Sequence, residues 1–423
     1  TVPSNGRQSI PANWTASRRR LVRLFIAGML CLHLFLFINL RERIKQGYPD
    51  FTVYYTAATI LRNGLGHQLY DAHVQYEVQK KSVGFISSRR GALPYIHPPF
   101  EALIFLPLAY LPYPRAFAIW DLLNLGALFG VALLLRRSVS TLRLIPPWEF
   151  VMGSLAFFPV FICFLQGQDS ILLLLFCVVG FNALKNRADL LAGCWFALGM
   201  FKFQFVIPIV LLIGIWKRRH AAIGFVVVSI FLVLTSVGLA GWESLRSYPA
   251  FALQIANAPS LGGVAAEFAP NLRGLALGWP LHFSRTIGTA VALVSAVLLF
   301  VFAATRGREE IRPEKLELRF SLAIIVSVLV AWQTNMHDLS LLVLPLVLMA
   351  DYYRHALPGE PGRSGRRFGL LLPIVPLLIS PLWLVLWIAK GDVNLMAIPL
   401  LWWVWEIGKE SSGGQKFRLR PQP

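Results

Sequence analysis

Acidic residues are scarce in this chain. Its 423 residues carry 21 Asp and Glu against 40 Lys and Arg, a formal charge of +19, and only 14% of positions are charged. Cysteine is scarcer still. Cys31, Cys163, Cys177 and Cys194 all lie inside apolar runs, so neither a disulfide framework nor a zinc-ligand spacing is present. The sequence also lacks a Walker phosphate loop, a dinucleotide-binding glycine fingerprint, an HExxH helix and a GxSxG elbow, which argues against the familiar nucleotide-binding and hydrolase sites. Apolar runs recur from Leu21 to Ile407 without a long polar insert, so no separate soluble domain is expected.

Apolar sequence is what the chain has in abundance. Hydrophobic residues make up 56% and mean hydropathy is +0.60, which defines an all-α, polytopic helical membrane protein. The Lys and Arg residues fall in short clusters between the apolar segments and not along one amphipathic face. That pattern is a topology signal, and it points to membrane lipids as partners and away from nucleic acid. The cluster Ser17-Arg18-Arg19-Arg20 precedes an apolar run, Leu21 to Leu40, that is long and carries no small-residue cleavage site. It reads as an uncleaved first span after a disordered cytoplasmic segment, 1–20.

The membrane unit is expected over 21–408, followed by a cytoplasmic tail, 409–423. An outer loop, 41–113, holds short interfacial helices at about 51–62 and 73–81. It ends in a proline-bounded apolar piece, 98–112, too short to cross and read as a re-entrant hairpin. Further spans are expected near 114–135, 148–165, 170–184, 188–200, 203–216, 221–240, 286–305, 318–334, 339–351, 368–389 and 393–408. That makes about twelve crossings with both ends cytoplasmic. The spans 188–200 and 203–216 are short, and only Phe201-Lys202-Phe203-Gln204 joins them, so the membrane is thinned there or the pair lines a cavity. A second outer loop is expected at 241–285.

This topology gathers the uncommon polar groups at one membrane level. Asp50, in Tyr48-Pro49-Asp50-Phe51, follows the first span and precedes a helical pattern. A carboxylate there is either a helix N-cap or a working group. Asp169, in Gln166-Gly167-Gln168-Asp169, caps the next helix or serves a ligand; Gln168 and Asp169 are suited to sugar hydroxyls, with a divalent metal the open alternative for Asp169. Lys202 either snorkels to the interface or faces a phosphate. His337 and Asp338, after Asn335, form a polar turn or a proton-handling pair. Tyr54, Tyr95, His97 and Glu101 lie in the first outer loop. No metal-ligand set and no required cofactor is assigned.

At these residues the chain resembles the GT-C membrane glycosyltransferases, and among them glycosyltransferase family 87, over roughly 45–350. The marks are Asp50-Phe51 with Tyr54-Tyr55, Gly64 through Leu69-Tyr70, Tyr95-Ile96-His97-Pro98-Pro99-Phe100, Gly167-Gln168, Ala192-Gly193 through Lys202, and His337-Asp338-Leu339 ahead of Leu344-Pro345. Phe203 stands where the family usually has a proline soon after the lysine. The resemblance implies a polyprenyl-phosphate sugar donor, most simply mannose, and a glycan or glycolipid acceptor, at the outer face of the inner membrane. It implies Asp50 as catalytic base and His337 at the donor phosphate, with Lys202 assisting. Tyr54, Tyr95, His97, Gln168, Asp169, Asn335 and Asp338 would contact sugar or acceptor. A transporter or flippase of lipid-linked saccharides is the alternative, since it would share the cavity and the basic groups without needing a base at position 50.

Overall fold

The computed structural model describes residues 12–84, 92–257, 266–306, 315–355, 369–389 and 393–412, and every regular element among them is helical. The first helix, α1, runs Ala12–Lys45, so helix and not irregular chain occupies 12–20; residues 1–11 of the expected disordered segment lie outside the described residues. Two short helices follow, α2 (Phe51–Arg62) and α3 (Ala72–Ser82). The piece 98–112 is a broken helix, α4, over Pro99–Tyr110. Its 12 residues reach about 18 Å, well short of hydrocarbon about 30 Å thick.

The bundle then runs through α5 (Tyr113–Ser138), α6 (Pro147–Leu155), α7 (Phe158–Gln166), α8 (Ser170–Lys185), α9 (Asp189–Leu198), α10 (Phe203–Ile215) and α11 (Arg219–Ala240). The expected loop 241–285 contains helices instead, α12 (Trp242–Asn257) and α13 (Leu272–Leu277). Its residues 258–265 lie outside the described residues. The remaining helices are α14 (Arg285–Arg306), α15 (Leu316–Val330), α16 (Val343–His355), α17 (Gly369–Leu377), α18 (Ser380–Ala389) and α19 (Ala397–Ser412). Helix α19 thus continues into the segment expected as a tail, of which 413–423 lie outside the described residues.

Burial sorts these helices. Every residue of α15 from Leu318 to Leu329 is buried, which marks it as the central helix, covered on all sides. Helix α11 instead exposes Ile223, Val226, Val227, Ile230, Phe231 and Leu234, the surface a lipid-facing span presents. Proline sets the breaks. Helices α6 and α7 meet at 80°, with Pro159 in the first turn of α7, and α17 and α18 meet at 52° ahead of Pro381.

Among the described residues six helical stretches are long and apolar enough to cross a membrane, or eight if each bent pair is one span. About twelve crossings were expected, and the difference lies in short helices such as α8, with 16 residues, and α15, with 15. One of the six, Asp189–Ile215, is not a straight span. A straight helix of 27 residues would hold its ends about 40 Å apart, yet Arg218 Nη1 lies 2.7 Å from Asp189 Oδ1. The chain folds back at the 3₁₀ turn Gly199–Lys202, so α9 and α10 form a hairpin with Lys202 at its tip.

The bundle therefore has two chemically distinct ends. At one, Lys185 pairs with Glu317, Arg218 with Asp189, and Asp351 accepts from Ser140 and Thr141, amid Arg136, Arg137 and Arg219. At the other lie the starts of α2 and α8, the tip of the α9–α10 hairpin and the turn before Met336–Leu342.

Close packing holds the hairpin against α11. A Cβ on Gly193 would be driven into the Ala221 carbonyl, and one on Gly224 into the Leu190 carbonyl, so the backbones approach as glycine-lined membrane helices do. Gly193→Val is expected to lower stability by about 2 kcal/mol or more, while Gly126→Ala, where an added Cβ meets nothing within 4 Å, leaves it unchanged or slightly raised. Detergent-unfolding curves of the two variants check this.

A candidate active site where three turns meet

Three turns distant in sequence converge at Lys202. Helix α7 ends at Gly167, whose φ of 59° gives the left-handed cap, and Gln168 and Asp169 follow before α8 starts. There is no room for a larger residue at the cap, since a Cβ on Gly167 would press on Phe117 and Phe51. Lys202 arrives from the hairpin tip, and Asp338 from the 3₁₀ turn Met336–Leu342. Lys202 Nζ lies 2.6 Å from Asp338 Oδ1, 3.0 Å from Asp169 Oδ1 and 2.8 Å from Ser170 Oγ. Lysine and both carboxylates are buried.

This geometry decides between the roles left open by the sequence. Lys202 does not snorkel. Its ammonium lies among Asp338, Asp169 and Ser170, so it organises the site, while its side chain also lines the larger cavity. Asp169 does not cap α8 with its side chain; its carboxylate belongs to the ion pair. Asp338 does two jobs, because its Oδ2 also accepts from the backbone N–H of Asn335 at 2.8 Å, half of a capping box.

Asp50 likewise makes no side-chain cap bond, although it stands at the N-cap of α2. Gln168 Nε2 donates to its Oδ2 at 2.9 Å, and its own backbone N–H donates to Gln166 Oε1 at 3.1 Å. Tyr54, one turn along α2, donates its hydroxyl to Gln168 Oε1 at 2.6 Å. Gln168 therefore links Asp50 to Tyr54 and orients a carboxylate that is only partly buried. Burial holds the Tyr54 phenol well above its ordinary pKa, and the carboxylates of Asp169, Glu101 and Asp50 push the same way, so it remains a neutral donor.

Two cavities adjoin at these groups. The larger, about 530 Å³, is lined at its polar end by His97, Gln168, Lys202, Asn335, His337 and Asp338, and elsewhere by Phe201, Phe203, Tyr248, Leu253 and Trp332. The smaller, about 90 Å³, is lined by Asp50, Tyr54, His97, Gln168 and Asn335 among others. Asp50 and His337, expected to share one pocket, instead line different cavities that share the wall formed by Ile96, His97, Gln168, Gln333 and Asn335.

Tyr95 and Asp169 line neither cavity. Tyr95 is fully buried and donates its hydroxyl to the Pro98 carbonyl, so it shapes its own loop and is not positioned to touch a sugar. Ser170, Gln333, Tyr248 and Trp332 are site residues that sequence reasoning did not assign. Only Trp332 and Gln333 carried a signal, as neighbours of Asn335 and His337. Behind His97 lie Glu101 and Asp169, and ligand atoms of the three fall within 4.8 Å of one another, the one such group among the described residues.

A polytopic helical bundle with a polar, partly closed site at one end is the class these features define. The family model for glycosyltransferase family 87 matches residues 95–345, and the chain belongs to that family. A mycobacterial relative from Mycobacterium tuberculosis, a polyprenol-phosphate-mannose-dependent alpha-(1-2)-phosphatidylinositol pentamannoside mannosyltransferase, is 27% identical over 219 residues. That match covers 50% of this chain and 49% of the relative, so only about half the relative's length is spanned. No solved structure matches the chain.

Removing the ammonium would strand two buried carboxylates. Lys202→Met is expected to destabilise the protein by about 3 to 5 kcal/mol, and Lys202→Met/Asp338→Asn to recover part of the loss because one stranded charge is gone. Unfolding in mixed detergent reads both; a Lys202→Met variant as stable as the parent would contradict the charge balance.

Proposed function

We propose that this glycosyltransferase transfers a sugar, most simply mannose, from a polyprenyl-phosphate donor to a hydroxyl of a glycan or glycolipid acceptor. The single observation that carries the reading is the pair of adjoining cavities, with a carboxylate on one and an imidazole on the other. The larger has the volume of a ligand pocket and a mostly apolar lining around a few convergent polar groups. Its aromatic walls suit the first isoprenoid units, and His337 at its polar end suits the sugar phosphate. The smaller admits an acceptor hydroxyl beside Asp50.

In this mechanism Asp50 takes the proton of the acceptor hydroxyl as that oxygen bonds to the anomeric carbon, and polyprenyl phosphate departs. Gln168 and Gln166 hold Asp50 in register, while Tyr54 fixes the orientation of Gln168 through the bond to its carbonyl oxygen. His337 stabilises charge on the departing phosphoryl oxygen. Asn335, His97 and Gln168 on the shared wall meet the sugar hydroxyls. Lys202 contributes by holding Asp169 and Asp338 in place. Direct displacement inverts the anomeric centre, so a β-linked donor gives an α-linked product. The donor keeps its tail in the bilayer and the acceptor comes to it, which removes one search from the encounter.

The positive-inside rule supports an extracytoplasmic site in an inner or plasma membrane. Arg136, Arg137, Lys185, Arg218 and Arg219 gather at the end of the bundle opposite Asp50.

The test incubates purified protein with labelled polyprenyl-phosphate mannose, arabinose or glucose and membrane extract, and identifies the product. Transfer from one donor is expected, and Asp50→Asn should reduce it by about 10²- to 10⁴-fold with the fold intact. Absence of transfer from every lipid donor would remove the proposal. Lipid-linked sugar crossing the bilayer undiminished in Asp50→Asn vesicles would favour the transporter reading.

A further inference from the structure

We propose that His97, Glu101 and Asp169 form a binding site for one divalent transition-metal ion, Mn²⁺ or Zn²⁺, behind the shared wall of the two cavities. The inference goes beyond glycosyl transfer and does not depend on it.

Geometry supplies the first argument. One ligand atom from each residue lies within 4.8 Å of the other two. Ligands bound at about 2.0 to 2.2 Å stand about 3 to 4 Å apart, so side-chain rotations of less than about 1 Å per ligand atom close the set. The three come from two segments that are already fixed. Glu101 sits on the 3₁₀ turn opening α4. His97, four residues earlier, packs its ring against Tyr54 and Tyr95, and its backbone carbonyl accepts from the Tyr70 hydroxyl. Asp169 is held from the other side, its Oδ1 on Lys202.

Unpartnered oxygens supply the second. Glu101 and Asp169 are fully buried, and among the described residues neither Glu101 oxygen nor Asp169 Oδ2 has a hydrogen-bond donor. His97 Nδ1 approaches Glu101 Oε1 to 3.1 Å, an ion pair only when the imidazole is protonated. Buried acceptors of this kind are rare without a partner, and a bound ion is one standard explanation. Asp169 is especially telling, because one oxygen is committed to Lys202 and the carboxylate otherwise faces that of Glu101, so the two acceptors confront one another with no donor group between them.

Charge supplies the third. The buried cluster holds three carboxylates, Asp169, Asp338 and Glu101, and one ammonium, Lys202. With all three carboxylates ionised and a neutral imidazole at His97 the sum is two negative charges in excess, each expensive to keep out of water; with no cation present, burial and the nearby Asp169 push the Glu101 carboxyl up to about 8. One divalent cation at the end of the cluster away from Lys202 brings the sum to zero. The donor set, one imidazole nitrogen with carboxylate oxygens and no sulfur, suits Mn²⁺ or Zn²⁺ and not a thiophilic ion. Such an ion would pin the loop carrying His97 to the turn carrying Gln168, and so fix the shared wall.

The test is metal content and metal-linked stability of the full chain purified without chelator. The expected result is about one equivalent of Mn or Zn per chain, a melting temperature that falls on chelation, and its recovery with added Mn²⁺ or Zn²⁺. Glu101→Gln should lose the bound metal and the response to chelator. If that variant does not fold, the chelation and re-addition series on the unaltered chain decides by itself. A metal-free chain whose melting temperature ignores both chelator and added ion overturns the proposal and leaves a proton shared between Glu101 and Asp169 as the charge balance. Metal retained in a folded Glu101→Gln variant overturns it equally. None of these readouts involves sugar transfer, so they fail independently of the proposed activity.

Discussion

Lys202 holds its ammonium between the carboxylates of Asp169 and Asp338 with almost no water, and the arrangement of the site end follows from that contact. A buried charge is tolerable only where its partners are fixed. The tip of the α9–α10 hairpin, the turn before α8 and the turn at Met336–Leu342 must therefore meet at one point. The apolar faces of these helices would pack in several registers; the ion pair singles out one. Ser170 and the Asn335 backbone N–H complete the shell around Lys202 and Asp338.

Asp50 stands one step outside this cluster, and the separation has chemical value. A carboxylate paired directly with Lys202 would be a weak base. Gln168 instead passes orientation from the cluster to Asp50 through a neutral amide, donating to the Asp50 carboxylate while accepting from Tyr54. The site thus keeps a rigid charged interior and a less encumbered carboxylate at the cavity. In the proposed mechanism the shared wall that carries Gln168 and His97 is where a donor in the larger cavity meets an acceptor in the smaller one.

Much of this was legible in the order of residues. The apolar runs announced helices, and α2 occupies Phe51–Arg62 where the spacing predicts one. The short pieces 188–200 and 203–216 were read as a pair of short spans, and the Arg218–Asp189 contact shows why they form a hairpin. Less legible was crossing number, since hydropathy does not distinguish a full span from a short helix shielded by neighbours, as α15 is. The bends at Pro159 and Pro381 and the helices within 241–285 were also hidden, because a proline permits a kink without stating its angle. For single residues the limit was orientation: Tyr95 lies next to His97 in sequence, yet its hydroxyl turns back to Pro98 and leaves both cavities.

The sequence by itself determined that the chain is a helical membrane protein, where its basic clusters lie, and which rare polar residues interrupt its apolar runs, because hydrophobic period and charge are local properties. Only the tertiary structure decided which of those residues are partners. Lys202 with two carboxylates, Gln168 between Asp50 and Tyr54, and His97 beside Glu101 and Asp169 are pairings across helices. They depend on where each turn comes to rest, and that is set by close contacts such as Gly193 on Ala221 that no single segment contains.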